Sequence, residues 1–260
     1  MRGQNQAYAV SVVMPAMNEE RNILQAVADV VDGFQRTGVS GEIVIVNDGS
    51  SDRTGELAEG FKAQYPFISV VHHERNLGIG ASFWDGVQHS RGEFVTMIPG
   101  DGENCASEIL RYLPLMDQVD IVVPFVYNRG VRSFRRRILS ITYREIIKAS
   151  FGLSLNYMNG TVLYRKAILD GISLRAAGFF YQTELLVKTI LNGYLYAEVP
   201  YALLRRGGGD SKATTLKSLG KVARAYLGLM GEIYLGGWKR GPIVPDSATA
   251  RRGKDIEAAP

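Results

Sequence analysis

The sequence predicts an α/β fold built on a doubly wound, mostly parallel sheet flanked by helices. Three observations carry that expectation. Short β-branched apolar runs alternate with stretches of helical period, and each run ends in a cluster of turn-forming residues. The composition, 46% apolar and 22% charged over 260 residues, is that of a globular chain. The length suits one large α/β domain or two small ones with a full hydrophobic core. Disordered, collagenous and coiled-coil classes are excluded by the same figures. Cys105 is the single cysteine, so neither an internal disulfide nor a thiolate metal cluster is available and a reducing compartment is expected. The first eight residues are polar and lack the apolar core of a secretory signal. No run reaches the roughly 18 apolar residues of a spanning helix. A soluble or membrane-peripheral protein is expected.

Each element has a local reason. Tyr8–Met14 is an apolar run that stops at Pro15. Within Asn22–Phe34, residues 23, 24, 27, 30, 31 and 34 are apolar at helical spacing, with Asn18 placed as a cap and Glu19 and Glu20 near the positive helix end. Glu42–Val46 is continuous and β-branched, as in a buried parallel strand. It runs into the turn cluster Asn47-Asp48-Gly49-Ser50-Ser51-Asp52. A helix to Gln64, a strand over Phe67–Val71, a glycine-rich turn at Asn76–Gly80, a helix to Ser90 and a strand over Glu93–Ile98 follow. In such a sheet, ligands are expected at the carboxyl ends of the strands.

After a further strand at Asp120–Val126 the pattern changes. Arg132–Phe151 is helical, with Phe134, Ile138, Ile141, Ile146 and Ile147 opposite an arginine-rich face. A strand at Gly160–Tyr164, a helix at Gln182–Leu191 and a strand at Tyr194–Leu203 come next, then a basic amphipathic stretch over Lys217–Trp238. The expected organisation is a flexible N-terminus over 1–8, a domain over 9–215, a basic amphipathic helix over 216–240 and a disordered tail over 241–260.

The net charge of +4 conceals a strong asymmetry. Residues 129–148 hold seven basic side chains against Glu145, and residues 205–240 hold eight against Asp210 and Glu232. Each segment is therefore strongly positive and the remainder acidic, which predicts an anionic partner. Nucleic acid is not expected, because no nucleic-acid-binding motif accompanies the charge. A helix that buries one face and solvates the other accounts for either basic stretch. The Tyr, Trp and Leu face beside lysines in the second also suits a membrane interface.

Parallel strands place three loops side by side: Pro15–Glu19, Asn47–Ser50 and Pro99–Glu103. Glu19, Asp48, Asp101 and Glu103 are thereby expected to converge. Carboxylates so placed accept hydrogen bonds from a nucleotide and hold a hard cation such as Mg2+ or Mn2+ together with substrate phosphates. Singly, Asn18, Asp48 and Asp101 read equally well as turn and cap residues; at successive strand ends they point to a site. The position of a dinucleotide fingerprint reads P-A-M-N-E-E, and Gly78-Ile79-Gly80 lacks the third glycine, a weak phosphate loop at best. His72, His73 and His89 lack ligand spacing and read as strand-end or surface residues. Cys105 and Ser107 have no base partner, so nucleophilic catalysis gains no support.

The motifs V-V-M-P-A-M-N-E-E (12–20), I-V-I-V-N-D-G-S-S-D-R-T (43–54), N-L-G-I-G (76–80) and P-G-D-G-E (99–103) together resemble family 2 glycosyltransferases of the GT-A fold. E-V-P-Y (198–201) and R-G-G-G-D-S-K (206–212) are similar to the R-x-x-G-x-S-K element of dolichyl- and polyprenyl-phosphate sugar transferases of the mannose synthase type. The resemblance spans residues 9–215. Pro99 stands where relatives carry the first aspartate of D-x-D, and N-Y-M-N-G-T (156–161) replaces D-x-T-S-G-F.

The resemblance implies that Pro15, Asn18, Glu19, Val46 and Asp48 line the pocket of the nucleotide base and ribose, with Gly100 and Asp101 also among the residues that bind the nucleotide sugar. Asp101 and Glu103 would hold Mg2+ or Mn2+. Asp101, Arg206 and Lys212 would act in catalysis, and Arg129, Arg132, Arg136 and Ser211 would hold an acceptor phosphate. The implied reaction is inverting transfer of a sugar from a GDP- or UDP-sugar to a polyprenyl phosphate at the cytoplasmic face of a membrane. The protein would lie on that membrane or recruit an integral membrane partner. Two alternatives stand: a GT-A enzyme extending a surface glycan without a lipid phosphate, and a catalytically silent nucleotide-sugar binder, which Pro99 motivates.

Overall fold

Side-chain alternation along the central strands sets the layers of the molecule. In the computed structural model, which describes residues 8–128, 134–158, 160–202 and 216–257, strand β1 (Tyr8–Ala16) sends Val10, Val12 and Met14 to one face and Val13 to the other. Strand β2 (Gly41–Asp48) divides likewise, Ile43 and Ile45 against Val44 and Val46. Both faces are covered, which is why Val10–Met14, but for Ser11, and Ile43–Val46 are apolar runs. Helices α1 (Ile23–Thr37), α2 (Thr54–Gln64) and α4 (Ala106–Leu110) pack on the first face. Helices α3 (Ile79–His89), α5 (Phe134–Phe151), α6 (Tyr181–Asn192) and α7 (Leu216–Tyr234) pack on the second.

The remaining strands are β3 (Ile68–His73), β4 (Gly92–Met97), β5 (Ile121–Val126), β6 (Leu163–Arg165) and β7 (Tyr196–Tyr201), and the sheet order is β3-β2-β1-β4-β6-β5-β7. Strands β1 to β4 pair in parallel; β6 runs antiparallel between β4 and β5, and β5 pairs in parallel with β7. One reversed strand in the middle leaves β5 and β7 pointing with β1–β4. All the other strands therefore end at one edge, and the order switches direction beside β1, where a crevice opens in such sheets.

Several sequence expectations are corrected. Strand β1 begins at Tyr8 as expected but continues past Pro15 to Ala16, and the carbonyl of Pro15 accepts the amide of Gly100 at 3.0 Å. Asn18 is not the cap of α1: Asn22 occupies that position, and Asn18 adopts a left-handed backbone with φ 56°. Of the apolar residues of α5, Ile147 is buried whereas Ile138, Ile141 and Ile146 are 45–49% exposed. The tail expected to be disordered carries helix α8 (Ala248–Glu257). Its first amides, which no helix can satisfy internally, donate to the buried Asp120 carboxylate, Ala248 N at 2.7 Å and Thr249 N at 2.9 Å. Among the described residues, no helix is long and apolar enough to cross a membrane.

Candidate active site

The loops that follow β1 and β2 are stitched together by bonds running both ways. Asn18 N donates to Ser50 Oγ (3.0 Å), and Ser51 N donates to Asn18 Oδ1 (2.9 Å). Glu19 N reaches Thr54 Oγ1 (2.8 Å), Glu20 N reaches Asp52 Oδ2 (3.2 Å), and Arg53 N returns to Glu20 Oε2 (3.3 Å). Serine, threonine, asparagine and aspartate recur here because short polar side chains satisfy loop amides. Asparagine also tolerates the left-handed backbone that turns the first loop towards the second. Burial works to raise the Asp52 carboxyl, but the Thr54 hydroxyl and amide and the Glu20 amide outweigh it and hold the group below its usual range.

Asp48 ends β2 and is 4% exposed. Its Oδ1 accepts Leu77 N (2.7 Å) and lies 2.8 Å from His73 Nδ1, while Oδ2 accepts Gly78 N (2.9 Å). A carboxylate offers about four acceptor directions, so three chain donors leave little of Asp48 for a ligand. Its principal visible role is to anchor the N-L-G-I-G turn. The amides of Leu77, Gly78 and Gly80 are used within the chain, which argues against a phosphate loop. Gly80 N and Ala81 N donate to Ala177 O at 2.8 and 3.2 Å. A Cβ on Gly80 would stand 2.4 Å from Ala176 O, so the close approach requires glycine.

The loop after β4 is fixed from three sides. Ile98 N and Gly100 N donate to Val13 O and Pro15 O, each at 3.0 Å. Tyr201 Oη donates to Asn104 Oδ1 (2.9 Å), and Ala106 N donates to Asp29 Oδ2 (2.7 Å). Burial raises the Asp29 carboxyl, against the opposing pull of the Ala106 amide. Asp101 and Glu103 are half-buried on this loop, and Glu103 N donates to Asp101 Oδ1 at 3.1 Å. Ala202 N donates to Glu108 Oε2 (3.1 Å) and Tyr127 N to Tyr201 O (3.2 Å). The chain therefore leaves both β5 and β7 beside the Asp101 loop.

The structure brings Pro15, Asn18, Glu19, Asp48, Gly100, Asp101 and Glu103 to the shared strand edge. Pro15 and Gly100 are buried, Asn18 is exposed, and Glu19 is half-buried with its Oε2 accepting Asn22 Nδ2 at 2.7 Å. Val46 corrects its expectation: it has no exposed surface and belongs to the core, so it backs the site without lining it. Arg129, Arg132, Arg206, Ser211 and Lys212 lie outside the described residues, as does the side chain of Arg136. The sequence analysis did not connect His73 with Asp48, although the register pairing the two across β2 and β3 brings them together; Asp85, on α3, meets the other ring nitrogen of His73.

Among the described residues no three His, Cys, Asp or Glu side chains form a group able to hold a metal ion. Asp101 and Glu103 remain two hard oxygen donors on one short loop. They fit an ion of the Mg2+ or Mn2+ kind, which takes one or two carboxylates and completes its shell from substrate phosphates and water.

The sheet is an open α/β sheet with its switch point beside β1, and solved structures that share this fold are GT-A glycosyltransferases. The crystal structure of glucosyl-3-phosphoglycerate synthase from Mycobacterium tuberculosis in complex with Mg2+ and uridine-diphosphate superposes with a TM-score of 0.64 at 21% identity, covering 86% of this chain and 79% of that one. Residues 11–173 match the family described as Glycosyl transferase family 2, and the chain belongs to it. Similar curated relatives include the polyprenol monophosphomannose synthase of Mycolicibacterium smegmatis, 30% identical over 214 residues, which are 77% of this chain and 79% of that protein. The dolichol-phosphate mannosyltransferase of Pyrococcus furiosus is 26% identical over 211 residues, 78% of this chain. The chain spans 58% of that second protein's length.

Proposed function

We propose that this family 2 glycosyltransferase moves a sugar from a GDP- or UDP-sugar to the phosphate of a polyprenyl-phosphate lipid, with inversion at the anomeric carbon. The observation that carries the reading is the shared exit edge. The acidic loop bearing Asp101 and Glu103 lies against the ends of β5 and β7, from which both strongly basic segments depart. Donor diphosphate and acceptor phosphate would thus meet between carboxylates on one side and arginines and lysines on the other. The names of the two relatives above, a polyprenol monophosphomannose synthase and a dolichol-phosphate mannosyltransferase, point to the same acceptor class.

In the proposed reaction a phosphate oxygen of the lipid attacks the anomeric carbon from the face opposite the nucleotide. The bond from that carbon to the diphosphate oxygen breaks, and the nucleoside diphosphate leaves with the electron pair. A phosphate monoester has a second pKa of about 6, so the acceptor is an anion at neutral pH and needs no dedicated base. Arg206 and Lys212 would offset charge on the leaving group, the arginine through its planar fork and the lysine as a point charge. Arg129, Arg132, Arg136 and Ser211 would hold the acceptor phosphate. Asp101 and Glu103 would hold Mg2+ or Mn2+, which when bound neutralises diphosphate charge.

The outer surfaces of α5 and α7 suit the cytoplasmic face of a membrane. Ile138, Leu139, Ile141 and Ile146 on α5 are exposed, as are Leu219 and Leu227 on α7, beside exposed Lys221 and Arg224. Docking would be direct or through an integral membrane partner. Incubation with purified polyprenyl phosphate, radiolabelled GDP- and UDP-sugars and Mn2+ tests the reading. A labelled, mild-acid-labile lipid is expected. Binding of a donor without transfer would instead favour a silent nucleotide-sugar binder, and transfer to a glycan alone would overturn the lipid acceptor.

A further inference from the structure

His73 differs from the other two histidines. His72 meets Glu59 at an exposed position, and His89 Nδ1 lies 2.8 Å from the Asp85 carbonyl. The His73 side chain is only 7% exposed, and each ring nitrogen faces a carboxylate: Nδ1 is 2.8 Å from Asp48 Oδ1, and Nε2 is 3.0 Å from Asp85 Oδ2. Ionised carboxylates accept and do not donate, and Asp48 already takes two backbone amides. With its proton on Nδ1 the ring donates to Asp48 Oδ1, and a hydrogen bond to a carboxylate belongs to the stronger, charge-assisted class.

The turn that Asp48 anchors touches both loops of the nucleotide pocket. A Cβ on Gly49 would stand 2.5 Å from the carbonyl carbon of Arg75, so turn and loop are in close contact. The Asn76 carboxamide contacts the Met17 sulfur. A change in Asp48 orientation therefore reaches the loop after β2 through Gly49 and the loop after β1 through Met17.

We propose that His73 is a positioning residue for nucleotide binding. With Asp85 behind it, the ring holds Asp48 in the orientation that pins the Arg75–Gly80 turn against the two pocket loops, and so sets affinity for the nucleotide without touching the reacting atoms. This rests on the reading that those loops hold the nucleotide.

The test uses the full chain with His73→Ala, His73→Asn and Asp85→Ala. Amide exchange at Leu77 and Gly78, GDP and UDP affinity, and donor KM and kcat are measured. In His73→Ala, loss of a charge-assisted bond should speed exchange at Leu77 and Gly78 and raise donor KM by about tenfold each, with kcat moving less than about twofold. His73→Asn, whose Nδ2 stands near the place of Nδ1, should return both quantities to within about threefold of the parent. Unchanged exchange and KM in folded His73→Ala overturn the proposal, as does a fall in kcat at constant KM. Should His73→Ala fail to fold by circular dichroism, Asp85→Ala decides. Its side chain is 44% exposed, and parental exchange and KM in that variant overturn the proposal equally. A parent chain that binds neither GDP nor UDP overturns the nucleotide reading instead, a result separate from the exchange at Leu77 and Gly78.

Discussion

Arg165 Nε lies 2.9 Å from Asp120 Oδ1, with both side chains almost sealed from solvent. The guanidinium also bonds Glu93 Oε1 at 2.7 Å and the Met116 carbonyl at 2.6 Å. The carboxylate also takes the amides of Ala248 and Thr249. One buried pair therefore joins β4, β6, the chain before β5 and the last helix.

Asp120→Ala removes the anchor of α8 and leaves Arg165 with Glu93 as its remaining ionic partner. Breaking a buried pair costs about 3–5 kcal/mol, and the Glu93 bond places the expected loss near the lower end. Urea unfolding measures it, and amide exchange in α8 should rise to the level of a free helix. A loss below about 1 kcal/mol would contradict this account.

Asp101 and Glu103 are half-buried on a loop held by its neighbours, so their removal should spare the fold. Asp101→Ala is expected to lower kcat for sugar transfer by about a hundredfold or more, the scale of losing a transition-state electrostatic contact. Glu103→Ala should cost about tenfold and raise the Mn2+ concentration needed for half-maximal rate. Parental turnover in Asp101→Ala would remove this loop from the chemistry.

Ile141→Ser and Leu227→Ser alter residues that are 48% and 66% exposed. Each should change stability by no more than about 0.5 kcal/mol while weakening sedimentation with anionic liposomes. Lys221→Ala with Arg224→Ala should weaken it by about thirtyfold at low salt, given roughly 1 kcal/mol per basic residue near the surface. Equal sedimentation of the charge variant and its parent would exclude α7 from the membrane contact.

Burial raises the Tyr143 phenol from 10.0 to about 12, against a smaller opposing effect of its hydrogen bond with Thr183. The fold therefore favours the neutral ring. The linked stability is whole below pH 10 and is lost as pH rises towards about 12. At 1.36 kcal/mol per unit the full loss is roughly 2–3 kcal/mol. Urea midpoints at about pH 9 and about pH 11.5 should show Tyr143→Phe losing less stability than the parent across that interval. Equal losses would refute the assignment.

The layers of the fold were readable because strand and helix periods are local properties. Val10, Val12 and Met14 against Val13 follow from alternation alone, and convergence of the loops after β1, β2 and β4 follows from parallel strands. Other features depend on partners far along the chain. Asp120 meets Ala248 across 128 residues, so a polar tail gave no local sign of an ordered helix. Asp48 takes amides from 29 and 30 residues onward, and its turn identity concealed that it is buried and largely satisfied by the chain. The Gly78-Ile79-Gly80 pattern resembled an anion loop because glycine serves close approach to any backbone, here that of residues 176–177. His73 does end β3, as its sequence position suggests; its two carboxylate neighbours were not legible because they belong to other elements.

The reciprocal bonds between Asn18–Glu20 and Ser50–Thr54 bear on the thermodynamics of donor capture. Fixing a residue's backbone costs about 1–2 kcal/mol in conformational entropy. Here that cost falls on folding, because each loop is the other's template. On the proposed function, a nucleotide arriving at this rim would meet a preorganised surface, and little of its contact energy would be consumed in ordering the protein. Differences between one base and another would then pass almost undiluted into affinity, which would make the rigid rim a more discriminating reader than a mobile one.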